Sequence, residues 1–144
     1  MNKKDLMVGD WVRNDLGETQ QVVELREIGA MLYYNDVYSY DEIEPIPLTH
    51  QIAEKNGFIK DKEEKTHGTT YHILIPTGYE ANSYTIQIRF YDEPICGVTV
   101  LLKIWGWIPP DDGGINDIHL CSAKYVHELQ NALRICGIDK EIVV

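Results

Sequence analysis

His127-Glu128-Leu129-Gln130-Asn131 nearly spells a zinc-hydrolase signature, in which two histidines one helical turn apart hold the metal and a glutamate activates water. The second ligand position holds Asn131, whose neutral carbonyl oxygen is a poor substitute for imidazole on zinc. The competing reading puts His127 and Glu128 on the flank of an amphipathic helix. Its apolar stripe would be Val126, Leu129, Leu133 and Cys136, spaced at helical intervals.

A second constellation is His119 and Cys121, two residues apart and so on one face of a strand, with His127 one turn into the helix that follows. Together they could hold a metal or present a thiol whose pKa is lowered near a helix N-terminus. The ordinary alternative is a strand end with a packed cysteine. The third is the loop Trp105-Gly106-Trp107-Ile108-Pro109-Pro110-Asp111-Asp112-Gly113-Gly114. Tryptophans beside a diproline suit a rigid contact surface, although buried indoles at the end of a core strand explain them as well. Asp111 and Asp112 lack the spacing of a calcium loop.

Trp11, Tyr33, Tyr34, Tyr38 and Tyr40 form the fourth group. On a small barrel, such aromatics line grooves that take extended proline-rich peptides or bases; cross-strand tyrosines also simply stabilise sheets. No phosphate-cradling glycine loop and no nucleophile elbow occurs, which counts against catalysis.

The elements that must position these residues follow from periodicity. Residues 6–48 read as four or five short strands: a run at Trp11–Arg13 behind a Gly9-Asp10 turn signal, a turn at Asn14-Asp15-Leu16-Gly17, then Gln21–Leu25, Ala30–Tyr34, a turn at Asn35-Asp36, and Val37–Tyr40, closed by the two prolines of Asp41–Pro47. That pattern suggests an SH3-like barrel. Thr49 is placed to cap a helix over 50–56 that stops at Gly57. The strands then fall within 58–121, with Lys60 to Thr70 as a solvated hairpin tip and the more continuously apolar Gly97–Trp105 nearer the sheet centre. A final helix over 123–136 is expected, capped by Ser122 and ended by Gly137. The fold class expected is α+β. An SH3-like β-barrel (1–48) precedes an antiparallel sheet with a short helix and a C-terminal helix (49–144).

Composition bounds the function. The chain of 144 residues is 44% hydrophobic and 25% charged, enough for a real core. Its formal charge of −10 repels polyanions, counting against nucleic acid and anionic membrane surfaces as partners. The acidity concentrates in residues 1–48, where four Lys/Arg face ten Asp/Glu, a net of −6. Three widely spaced cysteines form no disulfide framework, and the start has no apolar signal region, so a cytoplasmic setting without membrane attachment is expected.

The segments Tyr125-Val126-His127-Glu128-Leu129-Gln130-Asn131-Ala132-Leu133-Arg134-Ile135-Cys136-Gly137-Ile138 and Ile43-Glu44-Pro45-Ile46-Pro47-Leu48-Thr49 resemble a group of short uncharacterised proteins of gut anaerobic bacteria and their phages and mobile elements. The resemblance implies a bacterial cytoplasmic setting and a mobile-element origin, with no established activity.

The function expected is a non-catalytic protein- or peptide-interaction module, with Trp11, Tyr33, Tyr38, Trp105, Trp107 and Asp111 as its binding residues. No catalytic residue and no cofactor is assigned. Two alternatives remain. One is a small metal- or thiol-dependent hydrolase using His119, Cys121, His127 and Glu128; the other is an acidic inhibitor of a basic nucleic-acid-binding protein.

Overall fold

The computed structural model describes residues 1, 3–61, 68–76, 83–91, 98–104 and 117–144. Among them the chain is α+β, with two five-stranded antiparallel sheets and two α-helices. It divides into two compact units, Met1–Thr49 with Lys124–Val144, and His50–Ala123. The C-terminal segment, expected within a 49–144 domain, thus groups with the N-terminal strands. The reason is a set of long-range bonds: Leu48 N–H donates to the Lys124 carbonyl (2.9 Å), Val126 N–H to the Ile46 carbonyl (2.9 Å), and Pro47 bridges Tyr125.

In the first unit, β1 (Trp11–Arg13), β2 (Thr19–Leu25), β3 (Gly29–Leu32), β4 (Val37–Ser39) and β5 (Glu44–Pro45) lie in the order β4-β3-β2-β1-β5. A bulge between Val22 and Glu24 bends β2, so that its first half pairs with β1 and its second half with β3. Alternation sends Val12, Val22, Ala30 and Leu32 inward, where they pack with Leu6 and Ile43. The sheet does not close among the described residues. Its edges are β4 and β5, strands of three and two residues. At the β4 edge the Ser39 amide donates to Glu42 Oε2 (2.8 Å), a charged side chain guarding an open strand.

The strand expected to run to Tyr34 ends at Leu32, and the expected two-residue turn is a longer loop. Asn35 N–H donates to the Leu32 carbonyl (2.8 Å) and Leu32 N–H to the Asp36 carbonyl (2.9 Å), with Asn35 at φ 67°. Both tyrosines therefore leave the ladder.

The second unit holds α1 (His50–Lys55), β6 (Ile59–Lys60), β7 (Thr69–Pro76), β8 (Ser83–Phe90), β9 (Val98–Ile104) and β10 (Asp117–Ala123), in sheet order β10-β9-β8-β7-β6. β9 is an interior strand, but β8 is the central one. The sequence alternates Tyr84, Ile86, Ile88 and Phe90 with Thr85, Gln87 and Arg89; Ile86 and Ile88 are fully buried, and Thr85 on the opposite face is buried too. The His50 ring tilts against Phe90 (centroids 4.2 Å apart) and Tyr71 (5.6 Å), whose hydroxyl donates to Glu54 Oε1 (3.1 Å).

The last element, α2 (Val126–Ile135), starts three residues later than expected because Ser122 and Ala123 remain in β10; Tyr125 is its N-cap. Glu128 Oε2 accepts the amides of Lys124 (2.7 Å) and Tyr125 (3.1 Å), satisfying donors that no helical turn reaches. At the other end Gly137 adopts φ 70°, open to glycine without strain. Gly137 N–H then donates to the Arg134 carbonyl (3.0 Å) and Ile138 N–H to that of Leu133 (2.9 Å). Cys136, expected in the apolar stripe, is exposed, and Ile138, buried across the cap, takes its place.

Candidate functional site

The motif-bearing helix uses its polar residues for structure. His127, Asn131 and Arg134 are spaced four and three apart, which makes them one stripe, adjacent to the buried Val126, Leu129 and Leu133. Two of the three residues of the polar stripe bind Asp10, a carboxylate with no exposed surface in the turn before β1. Arg134 Nη1 donates to Asp10 Oδ1 (2.7 Å) and to Asn131 Oδ1 (3.2 Å), while Asn131 Nδ2 donates to Asp10 Oδ2 (3.4 Å). The Met7 amide also donates to Oδ2 (2.7 Å). A methyl group at Gly9 would stand 2.8 Å from Arg134 Nη2, so glycine makes room for the guanidinium. The residue that breaks the zinc motif is thus a partner in a buried network joining chain positions 121 and 124 apart.

Electrostatics fits that role. Burial pushes the Asp10 carboxyl above its usual range, and the Met7 amide, Arg134 and Asn131 pull it back down. Burial likewise holds His127 below the usual imidazole range, against Asp10, Glu128 and Asp5, which favour the charged form. His127 is 3% exposed and its Nδ1 has no hydrogen-bond partner. A neutral imidazole shut away from solvent is poorly placed to meet a substrate. Glu128, the expected water activator, is committed to the helix cap. Among the described residues no group of three His, Cys, Asp or Glu is placed to hold a metal ion.

His119 and Cys121 lie on β10 in the second unit, whereas His127 belongs to the first. His119 pairs with Leu101 and Cys121 with Val100, consecutive residues of β9, because a bulge falls between them. Trp105, Trp107 and Asp111, with the rest of their loop, lie outside the described residues.

The N-terminal aromatics divide by environment. Trp11 is half-buried with its Nε1 enclosed and unpartnered. Tyr38 is half-buried against the core and its hydroxyl accepts from Asn14 Nδ2 (3.2 Å); the Tyr40 hydroxyl donates to the Arg26 carbonyl (2.7 Å). Tyr33 and Tyr34 differ, being 64% and 70% exposed, with rings edge to face at 5.6 Å. In an antiparallel meander, alternate turns share one end of the sheet, so their loop sits beside the β1–β2 turn, residues 14–18. Asn14 ties the two together through Tyr38, and Leu16 at the neighbouring tip is 72% exposed.

Sequence reasoning named Tyr33 but passed over Leu16 and Asp10. The Asn14-Asp15-Leu16-Gly17 composition marked a turn, and an apolar residue at a turn tip was the available signal for Leu16. Nothing local marks Asp10 as the partner of Arg134. Comparison of the chain with protein-family models, with curated proteins and with solved structures found no match.

Proposed function

We propose that the chain is a non-catalytic protein- or peptide-interaction module. Its N-terminal sheet is read as an SH3-like barrel, and its setting as the bacterial cytoplasm, as an accessory of a phage or mobile element. The strand order β4-β3-β2-β1-β5, with a bent β2 shared between two ladders, supports the barrel reading. The observation that carries the functional reading is the Tyr33–Tyr34 pair, two large aromatics on an exposed loop where packing does not require them. Engagement of His127, Glu128 and Asn131 in burial, capping and the Asp10 network argues in the same direction. The Trp105–Gly114 loop belongs to the proposed surface on its sequence alone.

The test is partner capture from a bacterial lysate by the wild type and by Tyr33→Ala/Tyr34→Ala. A partner recovered by the wild type and lost by the variant supports the reading; equal recovery by both contradicts it.

A further inference from the structure

We propose that the occupant of the Leu16/Tyr33/Tyr34 end of the first sheet is a lysine- and arginine-rich segment of a partner protein. The inference rests on the interaction-module reading and names the partner's chemistry. Exposed tyrosine faces attract ammonium and guanidinium groups, and arginine stacks on them. The two tips supply the matching charge: Asp15 and Glu18 in residues 14–18, Asp36 in residues 33–36, and no Lys or Arg in either stretch. Arg13, next to the first tip, has Glu44 as its cross-strand partner.

One of these carboxylates is held in place. Glu18 Oε2 accepts from Asn14 Nδ2 (3.1 Å) and from Gln20 Nε2 (3.1 Å). Gln20 is itself buried, 4% exposed, so the amide that orients the carboxylate is fixed by its packing. Carboxylates carried on the same two tips as the exposed aromatic rings match a donor-rich cation. A neutral proline-rich peptide would cover the same rings yet desolvate the carboxylates without replacing their partners. The net charge of −6 over residues 1–48 adds long-range attraction in the same sense.

The experiment titrates the full chain, isotope-labelled for amide chemical shifts, with a short arginine-rich peptide and separately with a neutral proline-rich peptide. The arginine-rich peptide is expected to move resonances of residues 14–18 and 33–36. Its affinity should fall about tenfold in Tyr33→Ala/Tyr34→Ala, about threefold in Glu18→Gln, and progressively with added salt. Ile28→Ala, at the opposite end of β3, should bind as the wild type does. Wild-type affinity in both the tyrosine and the Glu18 variants would overturn the assignment. Proline-rich peptide binding at the tips without arginine-rich peptide binding would overturn it too, while leaving the interaction module standing. If neither peptide moves the tips, the cationic assignment falls, and the module reading is decided by the lysate capture.

Discussion

Two regions of the N-terminal unit carry residues of the kind that do chemistry, and they spend them in opposite ways. On α2, Asn131 and Arg134 bind a buried carboxylate, His127 is shut away from solvent, and Glu128 closes the helix start. At the hairpin tips, Leu16, Tyr33 and Tyr34 face solvent, on stretches that also carry Asp15, Glu18 and Asp36. The motif-like residues hold the chain together, while residues without a motif are left free to bind. A functional group is informative only when its bonding capacity remains unused and within reach of solvent.

The contrast can be broken from either side. Its largest expected effect is Arg134→Ala, which strands Asp10 as a buried charge. Chemical denaturation should show a loss of about 3 kcal/mol, and adding Asp10→Asn should recover part of it. Full stability in Arg134→Ala would mean that the network is not structural. Next comes Gln130→Ala. The Gln130 amide donates to the Lys140 carbonyl (2.9 Å) and accepts the Ile142 amide (2.6 Å), folding the C-terminal tail onto α2. Its loss should cost about 2 kcal/mol and speed amide exchange at Ile142; unchanged exchange there would refute the tether.

A gentler effect is the pH dependence contributed by His127. Its folded pKa lies below the ordinary 6.5, so the unfolded chain binds the proton more readily. The contribution is complete above 6.5 and is lost as pH falls towards the folded value. Asp10, with its raised pKa, acts in the opposite sense, favouring the folded state at acid pH and losing that contribution as pH rises. The difference between wild type and His127→Gln isolates the histidine; its stability slope near pH 6 should flatten in the variant, and parallel curves would place His127 in contact with solvent. Smallest of all, Tyr33→Ala/Tyr34→Ala should change stability by no more than about 0.5 kcal/mol. A larger loss in thermal unfolding would make the pair structural and erase the contrast.

The sequence made local features legible in proportion to how local their causes are. The burial of Ile86 and Ile88 and the glycine stops at Gly57 and Gly137 depend on neighbours in the chain and were readable, whereas Thr85, on the opposite face of β8, is buried against the alternation. Ser122 was misjudged as a cap because β10 continues through Ala123, a fact of pairing with β9. Cys136 was placed in the apolar stripe because periodicity cannot see that the cap turns the chain and buries Ile138 instead. The partnership of Asp10 with Arg134 spans most of the chain and leaves no local pattern. Tyr33 was found by residue type; that Tyr34 shares its exposure and Tyr38 does not followed only from the ladder ending at Leu32.

The central claim is that Asn131 belongs to the Asp10 network and is not a vanished metal ligand. Asn131→His restores the full H-E-x-x-H spacing, and zinc stoichiometry of the purified variant, read together with its unfolding midpoint, tests the claim directly. The network predicts no bound zinc and a stability loss of about 1 kcal/mol. One zinc per chain in a variant as stable as the wild type would contradict it.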